Sequence, residues 1–136
     1  MDLNPYLNFN GNCREAFEFY NKALGGEIVA MMSNGDSPMA EQLGPDQKEQ
    51  IMHARLVAGK NVLMGSDAPP EHYQKPAGFS VSINVEDPAE AERIFHALSD
   101  NANIQMPIDK TFWAERFGML EDKYGIPWMI NCDAKN

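Results

Sequence analysis

The chain predicts an α+β fold of two strand–helix–three-strand modules, written βαβββ, and three observations carry that expectation. The stretches YLNFNGNCREAFEFYNKAL and FSVSINVEDPAEAERIFHAL align at one constant offset, which sets Leu7 on Val81, Phe9 on Ile83, Tyr20 on Ile94, Ala23 on Ala97 and Leu24 on Leu98. Each copy opens as a strand and continues as a helix. Three further strand-like segments follow each helix, so the element count repeats as well as the letters. Two copies in 136 residues make one domain, 1–136, with modules at about 3–67 and 77–134, and the two are expected to build a single cup. A cup between repeats is a natural ligand site.

The elements follow in order. Pro5 to Asn10 alternates as a strand, with Leu7 and Phe9 on one face and Tyr6 and Asn8 on the other. Gly11 turns the chain and Asn12 caps a helix to about Leu24, whose stripe is Cys13, Ala16, Phe17, Tyr20 and Leu24; Gly25 and Gly26 stop it. Glu27 to Met32 reads as a second strand and Ser33 to Lys48 as an irregular excursion. Gln50 to Val57 and Asn61 to Met64 form a hairpin around Ala58, Gly59 and Lys60. Ser66 to Pro76, with three prolines, connects the modules.

Phe79 to Val85 opens the second module. Asp87 caps its helix, with Glu90 completing a capping box, and Ala91, Ile94, Phe95 and Leu98 form the stripe. A weak strand at about Ile104 to Met106 precedes Phe117 to Glu121 and Pro127 to Cys132, which pair across the turn Asp122 to Gly125.

Composition excludes several classes. Apolar content of 43% and charged content of 23% are those of an ordinary globular protein, and no apolar run approaches the roughly 20 residues of a membrane helix. Without a basic-then-apolar start, the expected location is the cytoplasm. Eleven basic against twenty acidic residues, a formal charge of −9, oppose phosphate-backbone binding, so neither nucleic acid nor membrane is an expected partner. Cys13 and Cys132 stand at opposite ends of the chain without metal-type spacing. Cys13 falls in the first turn of a helix, where a thiolate would be favoured; the alternative is a buried, inert thiol.

The opening PYLNFNGNCREAFEFYNKALGGE, the hairpin HARLVAGKNVLMGSDA and the terminal block with Phe112, Trp113, Phe117, Gly118, Asp122, Gly125, Pro127 and Trp128 resemble the PhnB-like branch of the vicinal oxygen chelate superfamily. That superfamily includes glyoxalase I, bleomycin-resistance proteins and extradiol dioxygenases. The resemblance implies two βαβββ modules whose strands form an incomplete, barrel-like cup around a cavity, in a homodimer, and a single such domain over the chain. In the metal enzymes of the superfamily, His and Glu on inward strand faces chelate the ion. The matching positions here are Tyr6, Met64, Ser80 and Met129, none a good ligand for Zn²⁺, Ni²⁺ or Fe²⁺. The expectation is therefore a cup without a resident cofactor or metal; a divalent ion held in some other geometry is the alternative. Some relatives carry a methyltransferase name, but no Gly-rich signature of a dinucleotide or adenosyl-methionine fold occurs in this sequence.

Among other chemistry-bearing residues, His53 lies on the third strand, where alternation groups it with Ile51 and Arg55 against Met52, Ala54 and Leu56. Facing the cup it could serve as a general base; facing out it is a surface histidine. His72 falls in the connector and His96 on the polar side of the second helix, and both are expected to be solvated. Asp67 either ties a turn or accepts a hydrogen bond from a ligand. Phe112, Trp113, Phe117 and Trp128, with Tyr6, Met64 and Met129, suggest an apolar, adaptable cavity for a small hydrophobic or aromatic molecule. The leading expectation is a homodimeric small-molecule binder with contacts at Tyr6, Met64, Asp67, Ser80, Trp113 and Met129. Alternatives are an enzyme on a small oxygenated substrate with His53 as base, and a dimeric interaction module built on the aromatic block.

Overall fold

The computed structural model describes residues 1–135. The chain divides into two compact units, Met1–Gln74 and a second beginning at Lys75. In the first, β1 (Tyr6–Phe9), α1 (Cys13–Leu24), β2 (Glu27–Ser33), α2 (Pro45–Glu49), β3 (Ile51–Ala58) and β4 (Asn61–Asp67) follow in order. The second contains β5 (Val81–Val85), α3 (Pro88–Leu98), β6 (Asn103–Asp109), β7 (Ala114–Glu121) and β8 (Pro127–Asp133). Their sheets are open and of the same design, β1-β4-β3-β2 and β5-β8-β7-β6. In each, the first strand runs parallel to the last and every other pairing is antiparallel. The repeat in the sequence is thus a repeat of strand order.

The helix of each unit packs on one face of its sheet. On α1 the buried residues are Cys13, Ala16, Phe17, Tyr20 and Ala23, so Ala23 takes the innermost place expected of Leu24. Phe17 and Tyr20 meet Phe9 of β1 in edge and tilted ring contacts at 6.0 to 6.4 Å. Each such buried ring contributes about 2 kcal/mol or more. The backbones come close beneath the helix: a Cβ on Gly65 would stand 2.7 Å from the Leu7 carbonyl oxygen and 2.9 Å from the Phe17 ring. Gly25, at φ 67°, ends α1 in the left-handed conformation.

On α3 the buried stripe is Ala91, Ile94, Phe95 and Leu98, as expected. It covers Gly118, where a Cβ would lie 2.6 Å from the Phe95 ring. Asp87 caps α3 by accepting the Ala89 amide, but the expected capping box does not form, because Glu90 is drawn to Arg93 one turn on. The Asn12 side chain makes no cap bond to α1 either. A residue distant in sequence, Asp67, takes that role, as described below.

Several boundaries move. The excursion after β2 contains 3-10 turns at Asn34–Asp36 and Ala40–Gln42 and then α2, started by Pro45 at its first turn. β6 runs from Asn103 to Asp109, longer than expected, with register shifts on both sides of Met106. β4 extends to Asp67, β7 begins at Ala114, and β5 begins only at Val81.

Candidate functional site

Cross-strand partners share a face, so the register sorts each sheet into a helix side and a helix-free side. In the first unit Leu7, Phe9, Leu63, Gly65, Ala54 and Leu56 are buried on the helix side. The opposite side carries Tyr6 beside Met64 and Met64 beside Arg55 across β1, β4 and β3. His53 lies two residues before Arg55 on the same face, opposite Met32. Ile51 does not join them. A register shift between Met32 and Ser33 slips the alternation, and Ile51 is buried with Ala54 and Leu56.

Tyr6 and His53 meet. The Tyr6 Oη lies 3.3 Å from His53 Nδ1, a hydrogen bond whose direction follows the imidazole tautomer, and the rings stack at 5.9 Å and 25°. His72 and His96 are exposed, as expected.

Asp67 closes β4 with its carboxylate committed to the backbone. Oδ1 accepts the amides of Gly11 and Cys13, both at 3.0 Å, and Oδ2 that of Ile51 at 2.8 Å. It therefore ties the β1–α1 turn and the start of β3 to one carboxylate, the structural duty set beside a ligand role above. The Cys13 thiol is pushed up to about 12, first by burial and then by the neighbouring Asp67 carboxylate, with Arg14 opposing. Such a thiol is protonated at neutral pH, which removes the reactive-thiolate alternative. Cys132 is buried too and donates to the Glu86 carbonyl.

In the second unit the helix side carries Trp128, Leu120, Ile130 and Cys132, all buried. Trp128 thus belongs to the core, contrary to its grouping with the cavity aromatics. Its indole N–H donates to Asp122 at 2.8 Å. The other side carries Ser82, Met129 and Met119 in one row and Asn84, Asn131 and Phe117 in the next. Trp113 packs edge-on against Phe117 at 5.6 Å, and Phe112 against Trp113 at 4.8 Å; Phe112 is 95% exposed and Trp113 47%.

An open cleft of about 660 Å³ lies on this unit, and Phe79, Ser80, Gln105, Met119, Pro127 and Met129 are among its lining residues. Ser80 precedes β5 rather than standing on it, yet it reaches the same cleft as Met129. A Lys75–Glu121 ion pair of 2.8 Å stands at the same place. Met119 and Gln105 were missed in the sequence. Alternation through RFGMLE puts Met119 on the Phe117 face and could have found it, whereas Gln105 enters beside the bulge in β6, which no pattern announces.

The four positions that resemblance assigns to metal ligands fall into two pairs, Tyr6 with Met64 in one unit and Ser80 with Met129 in the other. A phenol, a hydroxyl and two thioethers do not fit the Zn²⁺, Ni²⁺ or Fe²⁺ of the superfamily's enzymes. Among the described residues no group of three or more His, Cys, Asp or Glu side chains is placed to hold an ion.

Two βαβββ units, each with an open first-fourth-third-second sheet and a helix-free face, give the chain the fold of the glyoxalase/bleomycin resistance/dioxygenase proteins. The same fold occurs in an enzyme of that family from Burkholderia phytofirmans PsJN at 11% identity, with a TM-score of 0.67 and coverage of 96% of this chain and 97% of that one. Within it, a family model described as 3-demethylubiquinone-9 3-methyltransferase matches residues 1–131, and the chain belongs to that PhnB-like family. Protein YjdN of Escherichia coli (strain K12) is 36% identical over 140 residues, covering 96% of this chain and 95% of that protein. The crystal structure of protein PA1353 from Pseudomonas aeruginosa is 49% identical, with a TM-score of 0.90 and 99% of both chains covered. A putative 3-demethylubiquinone-9 3-methyltransferase, PhnB protein, from Bacillus cereus is 25% identical, with a TM-score of 0.81 over 97% of this chain and 99% of that one.

Proposed function

We propose that this chain is a cytoplasmic, homodimeric binder of a small, largely apolar molecule, taken up on the helix-free faces of its sheets. The cleft carries the reading: about 660 Å³, with Phe79, Met119, Pro127 and Met129 as apolar walls and Ser80 and Gln105 as polar contacts. Small-molecule sites have that make-up, and thioethers let the walls adapt to the ligand. Tyr6 and Met64 supply a comparable surface in the first unit, and exposed Phe112 and Trp113 offer aromatic area to the ligand or to the second copy. The family's description names a methyl transfer; the residues on these faces support binding. Among the described residues no helix is long and apolar enough to cross a membrane.

A thermal-shift screen of small aromatic and aliphatic metabolites tests this. A ligand at 100 times its Kd stabilises by about 2.7 kcal/mol. The Met129→Ala protein, checked for folding by circular dichroism, is expected to lose most of the shift. If no compound raises the melting temperature, or every shift survives Met129→Ala and Ser80→Ala, the cleft is not the site.

The Tyr6–His53 contact favours a second reading, an enzyme with His53 as base and Tyr6 orienting the substrate. Full turnover of an identified substrate by His53→Ala would end it.

A further inference from the structure

The helix-free face of the first unit holds a cation, Arg55, that no side chain among the described residues pairs with. Arg55 is exposed and takes part in no ion pair or hydrogen bond among the described residues, although the chain carries nine more negative than positive charges. Its two cross-strand neighbours are neutral, Met64 on β4 and Ala30 on β2. Glu27, opposite Val57 on the same face, makes no ion pair with it.

Arg55 also has company suited to an anion. His53 is two residues away on the same strand, about 7 Å along it, and Tyr6 lies two strands across, about 9 to 10 Å, on the far side of Met64. An arginine stem spans such a gap along the thioether while its guanidinium stays wet. The Tyr6 hydroxyl and the His53 imidazole are already joined at 3.3 Å, so a joined pair of polar groups shares the face with the exposed cation, with Met64 between Tyr6 and Arg55.

We propose that Arg55, His53 and Tyr6 form an anion-recognition site on the first unit, whose helix-free face takes an acid, a small apolar body bearing a carboxylate or a group of similar charge and shape. This rests on the binding reading and adds the charge of the ligand to it. Guanidinium takes a carboxylate through two parallel N–H donors, and the Tyr6–His53 pair offers a further donor on the other side. The protein's remaining acids do not forbid it, since at physiological salt the Debye length of about 8 Å screens charges beyond the face.

The test uses benzoate and its neutral isostere benzamide, titrated to millimolar concentration into ¹⁵N-labelled protein, with the Arg55 Nε–H and the amides of Tyr6, His53 and Arg55 followed by NMR. Benzoate should move these resonances at a midpoint about tenfold below that of benzamide, and Arg55→Met should raise the benzoate midpoint about tenfold. Met keeps the apolar stem, so the benzamide midpoint should stay, and Arg55→Lys should recover part of the loss. Equal midpoints for the two probes, a benzoate midpoint unmoved by Arg55→Met, or no response on this face overturn the proposal. If benzamide binds the Met119 and Met129 cleft in that event, the binding reading survives and only the acid preference falls.

Discussion

Replacing Asp122 should produce a large stability loss that can be resolved into parts. The residue is 4% exposed and its Oδ1 accepts the amides of Tyr124 at 2.8 Å and Ile126 at 3.0 Å, while Oδ2 accepts the Trp128 indole at 2.8 Å. Asp122→Ala orphans these three donors beneath α3, each worth about 1 kcal/mol or more, for a total of about 3 kcal/mol. Asp122→Asn keeps an oxygen for the two amides and turns an NH₂ toward the indole N–H, donor against donor, so it should cost about 1 to 2 kcal/mol. For a chain of this length those losses correspond to roughly 10 °C and 5 °C in Tm. Urea unfolding followed by far-UV circular dichroism gives both values, and the slope should stay fixed while the midpoint falls. In a Trp128→Phe background the cost of Asp122→Asn should shrink, because the donor it confronts is gone. A loss under about 1 kcal/mol for Asp122→Ala, or an undiminished Asn cost without the indole, would refute this account of the turn.

Other consequences are checked as directly. Cys13 should resist thiol reagents in the native state at pH 8 and react on unfolding; fast native labelling would contradict its thiol at about 12. Because that value is raised from an ordinary 9.0, the unfolded chain loses the proton first as pH rises, so this group's contribution to stability is complete below about 9 and drains away between about 9 and about 12. A Cys13→Ser protein should show a flatter stability profile over that window. Gly118→Ala forces a Cβ against the Phe95 ring at 2.6 Å and the Ile108 Cα at 3.0 Å, and should cost about 1 to 3 kcal/mol by chemical denaturation. Gly11→Ala meets no atom within 4 Å, so it carries only the strain of a left-handed φ of 94° and serves as the comparison.

What could be read in advance follows physical range. The α3 stripe, the Gly25 stop and the succession of strands and helix in each module rest on periodicity and local backbone preference, both written in neighbouring letters. The errors arise where a partner outside the recognised pattern decides. Asp67 caps the amides of Gly11 and Cys13 from the end of β4, so Asn12 had the right residue type and no work to do. Glu90 had the capping-box spacing and a stronger partner in Arg93. Ile51 changed face through a register shift in the β2–β3 pairing, and Trp128 went to the core because Asp122 satisfies its indole there. At the candidate site the sequence named Tyr6, Met64, Ser80 and Met129, but it did not disclose that Tyr6 bonds His53 or that Arg55 stands without a partner.

The repeat itself explains why the two faces differ. Strand order is the same in the two units, yet register is set pair by pair. Tyr6 stands opposite Met64, whereas Met129 stands opposite Ser82 and Ser80 lies upstream of β5. Positions matched by a constant offset along the first strands are therefore not matched across to the last strands. Four equivalent ligand positions need both equivalences at once. With donors replaced and register shifted, each unit is free to present a different surface, cationic around Arg55 in one and thioether-rich around Met119 and Met129 in the other.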